Sequence, residues 1–554
     1  MPSRISITGR YLHTIRYLRP IQVYGRLLYR FRKPTIDLSP PPECREVAAV
    51  WVIPAKRTKK MLTPNTFRFL NEVRTIEGPG DWNSENSLLL WLYNLHYFDD
   101  LNADAANERK GWHQELMTRW IRENPPPFGV AWDPYPTSLR AVNWIKWDLS
   151  GQKLSQEVKH SLAVQARLLV SRLEIHLLGN HLFANAKALV FAGLYFDGDE
   201  ADIWYKTGLN IIRRELPEQV LNDGGNFELS PMYHAIFLED LLDVVNLHRT
   251  YDRELPDGIE QVIPKMLCWL TTMCHPDGEI SFFNDAAIGV TPSVEELLMY
   301  ARRLGFEIPR PDLGLTELPD SGYSRIEKDD VVVLVDCAAI GPDYLPAHAH
   351  ADTLSFELSL FGRRVIVNSG TSVYGSGAER QRQRSTSAHS TIVIDNEDSS
   401  EVWGGFRVAR RAKVDFSYVS QREGIMVTGC HDGYKRLHGR PVHCRTWHYI
   451  NSSLNIYDEI KGRGRYKSEM IFHLHPDVEV ENISDNRVVL RVAGRSIEVA
   501  YSGDGRLYVE RSTYHPEFGL TVNSKKLVYC VRRSLPINIA TRITWPTENE
   551  NNWI

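Results

Sequence analysis

The 554-residue chain contains no uninterrupted apolar run of the roughly 18 residues that a membrane-spanning helix requires, which argues against a helical span. Cysteine is sparse and scattered: the seven copies, at 44, 268, 274, 337, 430, 444 and 530, include no Cys-x-x-Cys. Neither a disulfide framework nor a cysteine zinc site is expected from that spacing, which fits a reducing compartment. A cationic excess is missing too. The formal net charge is -4, and with no recognisable binding module nucleic acid is not an expected partner. Acidic residues are absent from the first 33 positions, which carry basic groups from Arg4 to Lys33 and no apolar stretch suited to a secretory signal. The expectation is a cytoplasmic protein or one peripheral to the inner membrane.

What the N-terminal segment does contain is two amphipathic patterns, Tyr11, Leu12, Ile15 and Leu18, then Tyr24, Leu27, Leu28 and Phe31, with Pro20 between them. Two short helices are predicted, either docked on the main body or laid against an anionic lipid surface or glycan. Composition (43% hydrophobic, 24% charged) is that of a soluble globular protein too long for one core. The 14 Trp and 24 Tyr suit stacking on sugar rings as well as core packing. Helical spacing dominates from about residue 60 to 305, as in Leu238, Leu241, Leu242 and Val245. After about residue 320 short β-type runs take over, among them Val331 to Val335, Val365 to Val367, Thr391 to Ile394 and Ile497 to Tyr501. No helix-length segment alternates with them, so an antiparallel sandwich is predicted. The divisions are a basic segment over 1–60, a helical domain over 61–315 and a β domain over 316–554.

The densest chemistry lies at His348-Ala349-His350-Ala351-Asp352, just before the alternating run Leu354 to Leu360. That run predicts a half-buried strand. Extended back through the pentapeptide, the strand would turn His348, His350 and Asp352 inward, where polar groups need a cleft, a metal or each other. Gly179-Asn180-His181 opens a helix, with Asn180 an N-cap or, together with His181, a donor pair facing a cleft. Glu228 leads into Ser230-Pro231, an N-cap with a first-turn proline, which sets Tyr233 in the first turn. His348, His350, Asp352, Asn368 and His389 form a group that could ligate a metal or satisfy one another. Arg380, Arg382 and Arg384 are read as a loop, solvated or else a bidentate site for carboxylates and sulfates.

Taken in order, Gly-Asn-His at 179–181, Ser-Pro-Met-Tyr-His at 230–234, Phe283-Asn284-Asp285, His-Ala-His-Ala-Asp at 348–352 and Thr-Ser-Ala-His-Ser-Thr at 386–391 resemble the heparinase II/III-like polysaccharide lyases. The resemblance implies an N-terminal (α/α) toroid followed by a C-terminal antiparallel β-sandwich, with the active-site cleft between them. It implies that Asn180 and His181 hold and neutralise a uronate carboxylate, that Tyr233 is catalytic and that His348 is the histidine supplied by the sandwich. Glu228 joins the three arginines as a candidate substrate contact. His350 and His389 match positions that hold one structural divalent metal, zinc or calcium, in relatives. The third position here is Asn368 in place of Asp, and losing that negative charge weakens such a site. The implied activity is β-elimination of an anionic, uronic-acid-containing polysaccharide, in exopolysaccharide or capsule metabolism. Two other classes compete: a toroid glycoside hydrolase using Glu228, Asp285 and Asp352, and a non-catalytic glycan-binding or polymer-assembly protein.

Overall fold

The computed structural model describes residues 4–31, 35–421 and 424–546. Two amphipathic helices come first, α1 (Arg4–Ile15) and α2 (Pro20–Phe31). The toroid is built from α3 (Leu89–Tyr97), α4 (Lys110–Glu123), α5 (Pro134–Leu149), α6 (Gln156–Ser171), α7 (Gly179–Tyr195), α8 (Asp199–Gln219), α9 (Pro231–Thr250), α10 (Ile259–Thr272) and α11 (Val294–Arg303). Helix α7 is apolar on nearly every side and buried along its length, the signature of an element packed all round. Its neighbour α8 lies very close because glycines face the contact. A Cβ at Gly193 would sit 2.4 Å from the Tyr205 nitrogen, and one at Gly208 would sit 2.5 Å from the Ala186 carbonyl oxygen.

The C-terminal half is a sandwich whose strand pairs are all antiparallel. Among the described residues, a nine-stranded sheet runs in the order Arg506–Tyr514, Val522–Ser534, Arg465–Leu474, Arg363–Val367, Phe356–Leu360, Val331–Asp336, Tyr323–Lys328 and Gly314–Leu318, with Ile392–Ile394 pairing Arg465–Leu474. The facing eight-stranded sheet runs Val414–Gln421, Gly424–His431, Val442–Ile450, Ser453–Lys461, Ile537–Thr544, Arg495–Ser502, Arg487–Val492 and Glu479–Ile483. Phe356, Leu358, Trp447, Ile456 and Tyr529 are fully buried between them.

Several expectations need correction. Residues 61–75, read as the start of the helical region, form a three-stranded sheet, Met61–Thr63, Thr66–Phe69 and Glu72–Thr75, whose Met61, Phe67 and Phe69 join the toroid core. The strand after the pentapeptide begins at Phe356, not Leu354: Leu354 has φ 61°, which no strand tolerates, so His348 to Asp352 are loop. Nor is the strand half-exposed. Phe356, Leu358 and Leu360 face the sandwich core, while the other side is covered by the toroid through polar pairs. His275 there bonds Glu357 at 2.6 Å and Ser359 at 2.8 Å, and Arg364 reaches Asp277 at 2.7 Å. The arginine run is the short helix α12 (Ala378–Arg384), not a loop. Cys430 and Cys444 form a disulfide, contrary to the reading of the spacing, because they stand directly opposite each other on neighbouring strands.

Candidate active site

The site is assembled where the start of α9 meets the loop that carries the pentapeptide. Ser230 caps α9 by accepting from the Tyr233 nitrogen at 3.2 Å, and Pro231 occupies the first helical position, so the Tyr233 side chain is fixed in the first turn. Segment 284–285 laces the two halves together. The Asn284 side chain donates to the Leu229 carbonyl at 2.9 Å and accepts from the His350 nitrogen at 2.9 Å, while its backbone N–H reaches Asp352 at 2.8 Å. The Asp285 N–H donates to the His348 carbonyl at 3.0 Å. These bonds bring Tyr233 and His348 face to face, with ring centroids 3.8 Å apart and planes at 29°.

Asp285 is the electrostatic centre. Its carboxylate, with no exposed surface, accepts from His348 Nδ1 at 3.0 Å, from His350 Nε2 at 2.8 Å and from both terminal nitrogens of Arg380. Burial by itself would raise its pKa. The Arg380 charge and the two imidazole hydrogen bonds outweigh burial and hold Asp285 well below the usual carboxylate range. An ionised carboxylate can accept but not donate, so His348 donates to it from Nδ1. Tyr233 goes the other way. Burial first, then Tyr374 and Asp285, push its phenol well above 10, and its hydroxyl lies 3.0 Å from that of Tyr374.

The other candidates fall at differing depths. Asn180 is half-buried in the first turn of α7; the residue before the helix is Leu178, which removes the N-cap reading of Asn180. The Asn180 N–H bonds the Glu228 carboxylate. Glu228 is buried, with Oε2 lacking a hydrogen-bond partner and 3.5 Å from His348 Nε2. Burial raises its pKa, offset in part by His348, His181 and the Asn180 N–H. His181 bonds Glu174 through Nδ1 at 3.1 Å, stacks on Tyr135 at 4.4 Å and keeps 31% of its side chain exposed. Arg380 and Arg384 are buried and turned inward. Arg384 donates to the Ala349 carbonyl at 3.0 and 2.8 Å, so both hold the pentapeptide loop. Arg382, exposed to a greater degree, pairs with Glu379 at 2.6 Å.

Behind the cleft, His350, Asp352 and His389 offer ligand atoms within 4.8 Å of one another, all buried. His350 Nδ1 faces His389 Nε2 at 3.3 Å, and His389 Nδ1 is buried without a partner. Asn368, the expected third ligand, is used elsewhere: its oxygen accepts from the Ser390 nitrogen at 3.1 Å and its amide nitrogen lies 3.4 Å from Ser355 Oγ. Tyr374, Glu174 and Tyr135 were missed in the sequence. Each lies in a loop or a helix start, where no periodicity singles it out.

A stacked Tyr–His pair, backed by a buried carboxylate where an (α/α) toroid meets an antiparallel sandwich, gives the chain the architecture of the toroid-and-sandwich polysaccharide lyases. Residues 110–302 match the family description Heparinase II/III N-terminus and residues 310–546 match Heparinase II/III-like, C-terminal, so the chain belongs to the heparinase II/III-like family. It is 28% identical over 437 residues to a heparin-sulfate lyase of Bacteroides stercoris, a match covering 73% of this chain and 60% of that protein. A heparin-sulfate lyase of Pedobacter heparinus matches at 27% over 40% of this chain and 36% of its own length, so the chain spans less than two thirds of these relatives. The FtsZ-localized protein C of Caulobacter vibrioides is 25% identical, covering 72% of this chain and 71% of that one. Among solved structures, a heparinase III superposes with a TM-score of 0.66 at 18% identity, covering 83% of this chain and 78% of its own. The heparan sulfate lyase of Pedobacter heparinus gives 0.58 at 18%, covering 95% and 87%.

Proposed function

We propose that the chain is a polysaccharide lyase that cleaves a uronic-acid-containing glycan by β-elimination. The observation that carries this reading is the stacked Tyr233–His348 pair, with Asp285 behind the imidazole. Loss of the uronate C5 proton puts charge onto the adjacent carboxylate, and Asn180 and His181 supply the donors that stabilise it as it grows. His348 Nε2 takes the C5 proton, the electron pair forms the C4–C5 double bond, and the C4–O4 bond breaks. Tyr233 donates its proton to O4. The upward push that burial gives the Tyr233 phenol supports this division, because a protonated tyrosine can give its proton without the cationic help it would need to act as base. His348→Ala should lower turnover by about 10²–10⁴-fold, with partial rescue by added imidazole. Unchanged turnover in that variant would return both proton transfers to Tyr233.

The kinship with heparin-sulfate lyases supports a glycosaminoglycan or a similar anionic uronan as the substrate class; an exopolysaccharide or capsular polymer is the narrower proposal. A glycoside-hydrolase mechanism lacks its pair of carboxylates, because Asp285 and Asp352 are buried and bound from behind the cleft. A second reading is a glycan-binding protein without turnover; its support is the similarity to a Caulobacter relative named for its localisation with FtsZ and not for an enzymatic activity. Glycan binding without any new unsaturated product would select it.

His350, His389 and Asp352 fit a structural divalent ion, with Asp352 in place of the expected Asn368. The arrangement is chemically consistent: His350 gives Nε2–H to Asp285 and leaves Nδ1 free toward His389, and hydrogen-bonded imidazoles of this kind are the usual metal ligands. Such an ion would tie the pentapeptide loop to the 386–391 loop and take no part in proton transfer. Stoichiometric zinc or calcium by elemental analysis, and a melting temperature several degrees lower after chelation, are the expected results, with both absent in His389→Ala.

A further inference from the structure

Helices α1 and α2 are attached to the body mainly through polar contacts, joined by Tyr11 edge-on to Trp403 and by Ile21 partly buried against the toroid core, and they turn most of their large apolar side chains to solvent. On α2 the docking side is Gln22, Gly25 and Tyr29: Gln22 Nε2 donates to the Tyr344 carbonyl at 3.0 Å, and a Cβ on Gly25 would meet His176 at 3.2 Å. Tyr29 stacks on His176 at 4.6 Å and accepts from Arg172 at 2.8 Å. The opposite side carries Val23, Tyr24, Leu27, Leu28 and Phe31, each at least half exposed and Phe31 at 76%. On α1, Thr14 accepts from Trp403 Nε1 at 3.2 Å and Arg10 faces Glu401 at 3.9 Å, while Ile7, Tyr11, Leu12 and Ile15 are exposed. An amphipathic helix normally buries its apolar stripe against the core, and both of these leave most of it exposed. So many exposed large apolar side chains on two consecutive helices mark a binding surface.

We infer that this face lies on an anionic phospholipid bilayer, with the apolar side chains at the acyl boundary and the arginines among the headgroups. The charge pattern selects lipid. No acidic residue occurs before Asp37, Arg26 and Arg30 flank the α2 stripe, and neither forms an ion pair among the described residues. Basic flanks, aromatic residues and an aliphatic stripe are the combination that binds such interfaces, and each basic group near the surface adds to the attraction. Helix α2 and the residue before it contact the loop that leads into the active site: Gln22 reaches the Tyr344 carbonyl and Arg19 lies 3.6 Å over the Tyr344 ring, four residues before His348. Membrane-bound chain therefore holds the loop that leads to His348 close to the lipid surface.

Co-sedimentation of the full chain with phosphatidylglycerol vesicles tests this independently of any lyase activity. Wild type should pellet with them, less with phosphatidylcholine vesicles, and less as salt rises. Leu12→Asp combined with Leu27→Asp and Phe31→Asp should weaken binding more than about tenfold while leaving the melting temperature unchanged, because the replaced side chains are exposed. Arg26→Glu with Arg30→Glu should remove the preference for anionic lipid. Wild type staying in the supernatant with both vesicles, or the triple variant pelleting as well as wild type, would overturn the proposal. So would a wild-type dimer that the triple substitution converts to monomer, since a second copy would then cover the face.

Discussion

Tyr233→Phe should reduce formation of unsaturated product by about 10²–10⁴-fold while leaving the protein folded. The substitution removes one oxygen. The ring remains stacked on His348, and the loss is the 3.0 Å bond to the Tyr374 hydroxyl, which costs on the order of 1 kcal/mol. The substitution leaves Asn180 and His181, the proposed carboxylate contacts, untouched, so kcat should fall with KM nearly constant, the pattern of an interaction made in the transition state alone. Steady-state kinetics on a uronan, followed by ultraviolet absorbance of the product, gives both parameters. Wild-type kcat in this variant would remove Tyr233 from the mechanism.

Asp285→Asn should have an effect of similar size for a different reason. The amide keeps the shape but not the charge, so Arg380 is left buried without a counter-ion and His348 Nδ1 loses an obligate acceptor. Breaking a buried pair from one side costs about 3–5 kcal/mol, and loss of the correct histidine tautomer lowers turnover by about 10³–10⁴-fold, by the logic of carboxylate–histidine pairs in acyl transfer. Adding Arg380→Met separates the two effects. The double variant should recover most of the melting temperature, because no buried charge is left unmatched, and none of the activity. Recovered turnover in the double variant would mean that Asp285 acts through folding and not through His348.

The cap at Ser230-Pro231 was legible because side-chain capping is local chemistry, and it placed Tyr233 correctly in the first turn of a helix. The change from helical to two-residue periodicity between about residues 305 and 320 was also readable, and the last toroid helix ends at Arg303 before the first sandwich strand begins at Gly314. The pentapeptide was misread because alternation of apolar and polar residues carries no mark of where a strand begins, and the left-handed backbone at Leu354 is set by the fold. Glu357 and Ser359 counted as solvent-facing for the same reason. Period alone cannot distinguish water from a second domain that presents His275. The arginines were visible as charge, but their inward pairing with Asp285 and the Ala349 carbonyl joins residues up to 95 positions apart, which no local pattern encodes. Of the residues grouped in the sequence, His350, Asp352 and His389 come together while Asn368 bonds elsewhere, a selection made by the same long-range folding.

Digestion of a uronan panel in heavy-oxygen water, followed by mass spectrometry of the fragments, puts the reaction itself on trial. Elimination by the Tyr233–His348 pair predicts a 4,5-unsaturated uronate at each new non-reducing end and no solvent oxygen in the bond that was cut. Heavy oxygen at the new reducing end would contradict it, and so would a chain that binds every uronan tightly yet yields no fragments.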